Sequence, residues 1–544
     1  MNKTIKLLSA AVLGLLAAAC SSPEKMAEMA EGITIDCKPA VLEVVGGRIE
    51  AEITVKYPAD YFHPRAILEV TPVIVYEGGE AKMEPFMFQG ENVKDNYQVV
   101  SSDGSTVRKR ISFDYILGME KSHLELRSKV LYKSASTDLP SQKVADGANT
   151  TYMLVSTVGR VDYKTDDYKE IVKQKAEGQI LYNINSADVR DGELRSKSIK
   201  DFQAAINAIK ANHRMHIVST DVVAYASPDG EEDKNADLSY NRSRSAEQAF
   251  NKVVDRQGVH APVNVKSVAE DWEGFQELVA QSDLEDKDLI IRVLSMYSDP
   301  AVREKEIRNL SAVYQSLASE VLPELRRARF IANVEVSNYS NEELVEMIET
   351  GIDLLDEEAL LRSASLVDDN LVKLGIYRKA IEKFDSQRAH YNMAVTYINM
   401  GELGRAKNAL AKVEADGDVY NAFGVIALRE EDYNAAAEYF AYSDNAAGIE
   451  NAAIIDIIDG EYQAAAEKLK NNNTFNSALA QLLIGNNTPA SALEGDYPEA
   501  AYLRAVAAAR KGQETTVKAH LVDAASDERL AARATKDIEF AQFR

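Results

Sequence analysis

Three kinds of hydrophobic pattern follow one another along this chain. Between residues 32 and 160 apolar and polar positions alternate. In Arg48–Tyr57, Ile49, Ala51, Ile53 and Val55 alternate with polar neighbours, and Ile67–Val75, Val107–Tyr115 and Leu124–Leu131 behave the same way. A period of two predicts strands with one buried face. Gly-Gly pairs at 46–47 and 78–79 and Asp103-Gly104 supply turns between them. From Gly178 the pattern is mixed. Gln179–Asn185 reads as a strand; Ile199, Phe202, Ile206 and Ile209 mark one helix face; His216–Tyr225 is a strand, Leu238–Val254 a helix and Val263–Val268 a strand. The predicted order is β-α-β-α-β. From Asn341 onward only Pro489 and Pro498 remain, alanine is abundant, and the pattern is helical throughout.

The helical part repeats itself. Gly401-Glu-Leu403-x-x-Ala406, Glu431-Asp-Tyr433-x-x-Ala436 and Gly460-Glu-Tyr462-x-x-Ala465 recur at a near-constant interval, with degenerate units near Gly485 and Gly512. Each follows an apolar helix: Tyr391–Ile398, Tyr420–Leu428 and Ala452–Ile458. This resembles tetratricopeptide-type helical pairs, slightly short of the usual length. Such units bury their faces only by stacking, which predicts a solenoid over 338–544 with a concave groove for protein partners. For residues 32–160, about seven short strands suggest an all-β sandwich of immunoglobulin-like type. These strands lack the sustained outward apolar face of a membrane barrel. Residues 161–177 are charged and read as a linker, and 20–31 as an acidic tether.

Composition bounds the function. The formal charge is −24, and removal of Lys3 and Lys6 with a leader would make it −26. That acidity argues against nucleic acid, whose phosphates demand clustered cations. Lys3 and Lys6 precede the apolar run Leu7–Ala19, which is too short to span a bilayer, and Leu16-Ala-Ala-Ala-Cys20 resembles a bacterial lipoprotein cleavage box. The resemblance implies a signal peptide over 1–19 and acylation of Cys20, on sulfur and nitrogen, with palmitate-like chains that anchor the protein in outer-membrane lipid. Cys37 then has no intramolecular partner, which excludes a disulfide framework, and its apolar-alternating surroundings make it a small packing residue.

The mixed segment carries the remaining chemistry. Ala224-Tyr-Ala-Ser-Pro-Asp-Gly230 followed by Asn235-x-x-Leu238-Ser239-x-x-Arg242 resembles the OmpA-like domain with which envelope proteins hold peptidoglycan. Glu270-Asp-Trp-Glu-Gly274 and Leu322–Arg329 are similar to a longer, Bacteroidetes-type form, in which an insertion precedes a final strand, so the likeness covers 178–337. It implies that Arg242 clamps a stem-peptide carboxylate, a task suited to a planar, permanently charged guanidinium. Where the family carries an Asp that meets the ammonium of diaminopimelate, this chain has Ser227, and Asp229 is the nearest acid able to replace it. Asn235 and Ser239 are expected first as turn and capping groups and then as ligands.

No serine-nucleophile elbow, zinc-protease motif or phosphate-binding loop occurs. His213 and His216 flank a strand start with no nearby acid or cysteine to complete a metal site. The expectation is therefore a protein without catalytic residues, metal or cofactor. It would be an outer-membrane lipoprotein, on the periplasmic face, associating with peptidoglycan through the OmpA-like domain and with protein partners through the repeats. The alternative is a secretion or surface-assembly scaffold whose OmpA-like domain no longer binds peptidoglycan.

Overall fold

The computed structural model describes residues 23–228, 232–284, 287–309 and 311–544. Residues 1–19, expected as a signal peptide, Cys20 and Asp229 lie outside the described residues. The chain divides into two compact units: Met1–Lys164 together with Ser386–Arg544, and Thr165–Asp385.

After a short helix, Pro23–Glu28, and a 3-10 turn, Ala30–Gly32, the first unit has eleven strands among its described residues: β1 (Thr34–Lys38), β2 (Val41–Val45), β3 (Arg48–Tyr57), β4 (Ile67–Tyr76), β5 (Gly79–Lys82), β6 (Phe86–Gln89), β7 (Gln98–Val99), β8 (Ser105–Asp114), β9 (Ser122–Tyr132), β10 (Ala135–Asp138) and β11 (Gln142–Asn149). Pairing follows the path β1-β3-β2-β11-β9-β4-β6-β7, with β8 on β3, β5 on β4 and β10 on β9. The count exceeds the seven expected because β5, β6, β7 and β10 are too short to display a period. The long strands do alternate: β3 buries Ile49, Ala51, Ile53, Val55 and Tyr57 and exposes or half-exposes the residues between. Two pairings are parallel, β11 with β2 and β7 with β6, a departure from the all-antiparallel sandwich that the alternation suggests.

After the strands the unit resumes at Ser386 with paired helices: Gln387–Asn399 and Leu403–Leu410, Gly417–Arg429 and Tyr433–Ala441, Ala446–Asp459 and Tyr462–Lys468, Phe475–Leu483 and Thr488–Ser491, Pro498–Arg510 and Glu514–Ala524. These are tetratricopeptide-like repeats. Their period has a local cause. The N-caps Ser386, Asp416, Asn445 and Thr474 stand at a near-constant interval, and each side chain accepts from the backbone N–H three positions on. Between the helices of each pair the chain turns through a left-handed residue: Gly401, Gly460, Gly485 and Gly512 at four of them, and Glu431, with φ of 63°, at the other. Gly424 lets the pairs close, since a Cβ there would lie 2.4 Å from the Phe440 ring.

Strands and repeats share one core. Leu42, Ile49, Ile74 and Leu124 belong to the same apolar cluster as Ala453, Ile457, Leu479 and Tyr502. The sequence pattern assigns 32–160 and 338–544 to separate domains, and the shared core corrects this. Periodicity reveals that a face is apolar, but the element that covers it comes from elsewhere in the chain.

The second unit is built on a four-stranded sheet in the order β12-β15-β13-β14: β12 (Ile171–Leu181), β13 (Met215–Tyr225), β14 (Val263–Val268) and β15 (Arg327–Ser337). Helix Lys197–Ala211 buries Ile199, Phe202, Ile206 and Ile209, the face marked by their spacing, and helix Glu232–Asp255 follows β13. Phe202, Phe250 and Phe330 gather at the centre with ring centroids 5.1–6.4 Å apart. The β13–β14 pair is parallel, whereas β15 runs antiparallel to both β12 and β13. Two boundaries differ from expectation. Ile171–Glu177, expected as linker because of its charges, is the first half of β12: its lysines and glutamate project from a strand that pairs along its whole length with β15. Helices Asn341–Thr350, Glu357–Ser365 and Asn370–Phe384, expected as the start of the repeats, belong to this second unit. There Ser340 and Glu343 form a capping box, and Arg214 at the start of β13 bonds Glu343 at 2.9 Å.

Candidate functional site

The residues singled out in the sequence assemble at the carboxyl end of β13. Strand pairing delivers Tyr225, and the chain continues through Ala226 and Ser227 to the turn. The helix Glu232–Asp255 then returns Asn235, Ser239 and Arg242 to the same end, at spacings of four and three that place them on one face. Asn235 Nδ2 donates to the Ser227 carbonyl at 3.1 Å, and Ser239 Oγ donates to the Ala236 carbonyl at 3.0 Å. Ser227, Asn235 and Ser239 are all buried.

Arg242 occupies the middle and is 0 % exposed. Its guanidinium donates to three backbone carbonyls: Nε to Ser186 at 2.9 Å, Nη1 to Tyr225 at 2.9 Å and Nη2 to Asn183 at 3.1 Å. The guanidinium lies 5.0 Å from the Tyr182 ring centroid. Tyr182 Oη donates to the Arg242 carbonyl at 3.1 Å, and burial pushes its phenol up to about 12. This is a charge taken out of water, and main-chain dipoles contribute to its compensation. It ties the Asn183–Ser186 loop to the end of β13. Arg242, which the resemblance implies as a carboxylate clamp, lies buried here: three of its five N–H groups donate to carbonyls, and no surface of the side chain reaches solvent. Asp229, its expected partner in ligand binding, lies outside the described residues.

The two other resemblance segments meet at the same strand end. Asp271 Oδ2 accepts from Arg327 Nη2 at 2.8 Å and from Nε at 3.1 Å, and both side chains are buried. Asp271 also caps helix Trp272–Gln281 through the Gly274 N–H. A Cβ on Gly274 would lie 2.2 Å from Arg327 Nη2, so a side chain there would force the Asp271–Arg327 pair to shift. Trp272 Nε1 donates to Glu270 at 2.8 Å, and its ring meets Phe275 edge-on, an anchoring role.

A second site, in the first unit, has no counterpart among the sequence expectations. Residues 155–164 have no helix or strand and run as a strap along the first helices of the repeats. Four asparagines hold its main chain. Asn476 accepts from the Ser156 N–H and donates to its carbonyl, each at 2.8 Å. Asn451 accepts from the Arg160 N–H at 2.8 Å and donates to its carbonyl at 2.7 Å, and Asn421 donates to that same carbonyl at 2.9 Å. Asn392 accepts from the Lys164 N–H at 2.7 Å and donates to its carbonyl at 2.9 Å. Arg429 Nε adds a bond to the Val158 carbonyl at 2.7 Å. An amide can both accept and donate, so each of Asn392, Asn451 and Asn476 closes a two-bond ring with one strap residue. The engaged residues are four apart, at 156, 160 and 164.

Side chains add a charged register. Arg160 Nη1 meets Glu450 at 3.1 Å, and Lys164 pairs with Asp416 and, at 3.4 Å, with Asp418. Burial works to raise the Asp416 carboxyl, but its bond to the Lys164 ammonium overrides this and holds it below the usual carboxylate range. Gly159 has φ of +69°, and a Cβ there would come within 2.9 Å of Val425. Both facts restrict the position to glycine. A signal for this site exists in the sequence: Asn392, Asn421 and Asn451 recur inside otherwise apolar helices at the same interval as the turn motif.

No family model matches the chain, and no curated protein matches its sequence. Similar solved structures include YrrB, described as a tetratricopeptide protein with an unusual peptide-binding site (19 % identity, TM-score 0.22, covering 36 % of this chain and 100 % of that one). A tetratricopeptide repeat protein from Parabacteroides merdae is similar at 12 % identity and a TM-score of 0.26, covering 49 % and 99 %. So is the Cut9–Hcn1 hetero-tetramer of the APC/C, at 12 % and 0.22, covering 56 % and 72 %. The repeat architecture described above rests on the helix pairs, their caps and their turns.

Proposed function

We propose that this chain is a non-enzymatic scaffold of the bacterial outer membrane, anchored by acyl chains on Cys20 and facing the periplasm. In this reading residues 165–337 are an OmpA-like unit kept as a rigid platform, residues 32–150 are a sandwich-like spacer, and the repeats work on extended polypeptide. The observation that carries the reading is the row of asparagine amides. Four side chains on successive repeat helices are committed to the main chain of an extended segment, which is the chemistry of a surface that holds polypeptide. It favours a role in secretion or surface assembly.

Peptidoglycan association is the second reading. It is favoured by the convergence of Ser227, Asn235, Ser239 and Arg242 at one strand end, and by the β12-β15-β13-β14 sheet that carries them. The burial of the Arg242 guanidinium and its bonds to three carbonyls weigh against it. Sedimentation with purified sacculi separates the two. The scaffold reading expects wild-type chain to stay in the supernatant at moderate salt; its appearance in the pellet favours the wall-binding reading. Membrane fractionation of Cys20→Ala tests the anchor: the variant is expected in the soluble periplasmic fraction, and continued membrane association overturns acyl anchoring.

A further inference from the structure

The strap poses a question that the scaffold reading leaves open: which chain the asparagine row is built to hold. Its contacts with residues 156–164 fall into two classes. The amide bonds involve only main-chain N–H and C=O groups and so are indifferent to side-chain identity. Selectivity comes from three places: the glycine required at 159, an acid at Glu450 facing the residue after it, and the acid pair Asp416 and Asp418 facing the residue four further on.

Together these define a recognition register of glycine, then a cation, then three residues, then a second cation. Without the strap, the groove would be a line of amides flanked by three carboxylates on a chain that already carries a formal charge of −24. The strap has no ladder bonds to any strand, and Val158 is 62 % exposed; Val155, Val161 and Tyr163 pack at the margin of the apolar clusters, and the Tyr163 hydroxyl meets Thr396 Oγ1 and accepts from Asn399 Nδ2, each at 3.3 Å. It is held as a bound peptide is held.

We infer that the strap is an intramolecular stand-in, and that the asparagine row receives in its place an extended basic segment of a partner protein carrying glycine followed by two cations four residues apart. This rests on the reading of the repeats as a surface for extended polypeptide. Tethering gives the strap a millimolar-scale effective concentration, so it competes with any segment from outside and sets a threshold for its capture. Charge complementarity speeds the encounter and rejects acidic chains.

The test uses a fluorescent peptide with the sequence of residues 155–165, titrated against the full chain. Wild type is expected to bind it weakly. The double variant Arg160→Glu, Lys164→Glu, which loosens the strap but leaves the groove intact, is expected to bind at least about tenfold more tightly. Adding Asn451→Ala to that variant is expected to abolish binding, and so is replacing both cations of the peptide by glutamate. Equal binding to wild type and double variant, or binding indifferent to Asn451 or to peptide charge, overturns the proposal. Should the double variant fail to fold, hydrogen exchange on wild type decides. Saturating peptide is expected to strip protection from the amides of Arg160 and Lys164, and unchanged protection overturns the proposal. Sacculus sedimentation and membrane release are scored on chain without peptide, so failure here is distinct from failure of the scaffold reading.

Discussion

Two buried polar arrangements in this protein do the same chemical job, holding main-chain carbonyls with side-chain N–H groups, yet they are built in opposite ways. Arg242 concentrates three bonds in one charged group and knots a loop to a strand end. The asparagine row spreads its bonds over four neutral side chains on successive helices. The knot cannot be opened in part, because releasing any carbonyl leaves a charge in a dry interior. The row can open one residue at a time, because each amide and each strap carbonyl finds water as it parts. A single charged centre suits permanent architecture, whereas a line of neutral ones suits a segment that enters and leaves.

The largest expected effect breaks the knot. Arg242→Ala should lower the stability of the Thr165–Asp385 unit by about 3 kcal/mol or more, because three carbonyls lose a charged donor. Chemical denaturation followed by circular dichroism reads this, and an unchanged midpoint would mean that the guanidinium is a ligand group after all. Next comes Asn451→Ala, which removes both bonds to Arg160 and one to Asn421 at 2.8 Å. A loss of roughly 2 kcal/mol is expected, with faster hydrogen exchange confined to the strap; exchange that spreads through the repeats would show the row to be as indivisible as the knot. Gly159→Ala is expected to cost about 1–2 kcal/mol from the left-handed backbone alone, and a protease site should open near residue 159.

The smallest effect is electrostatic. The folded Asp416 carboxyl titrates below its ordinary value. Its contribution is therefore complete above the ordinary carboxylate range and disappears as pH falls through the lowered value. Protection of the Lys164 amide should hold at neutral pH and fade on acidification below about pH 4, while the amides of the β12–β15 ladder, bonded to backbone carbonyls, keep their protection. Parallel loss at both places would erase the contrast.

The repeats were legible because their information is local. N-caps, left-handed turn residues and apolar stripes fall within one period, and period is what a sequence displays. The α+β order was legible for the same reason: Ile199, Phe202, Ile206 and Ile209 announce their helix without reference to anything distant. The strap was not. Nothing in Val155–Lys164 marks it as a bound segment, since the asparagines that hold it lie hundreds of positions further along the chain, from Asn392 to Asn476. The recurring asparagines were visible, but a buried amide has no meaning until the group it satisfies is known.

What the sequence alone determined is thus the set of elements and their faces: strands with an apolar side, helices with caps, a regular helical repeat, and a guanidinium on the same helix face as Asn235 and Ser239. Tertiary structure decided what each face meets. It set the β region and the last repeats on one core, gave the helices within 341–384 to the second unit, turned Arg242 inward onto carbonyls, and laid the strap along a row of amides. Propensity and periodicity act over a few residues and are written into neighbours. Burial and hydrogen-bond satisfaction act between surfaces brought together only by the folded chain, and no window of sequence contains both sides.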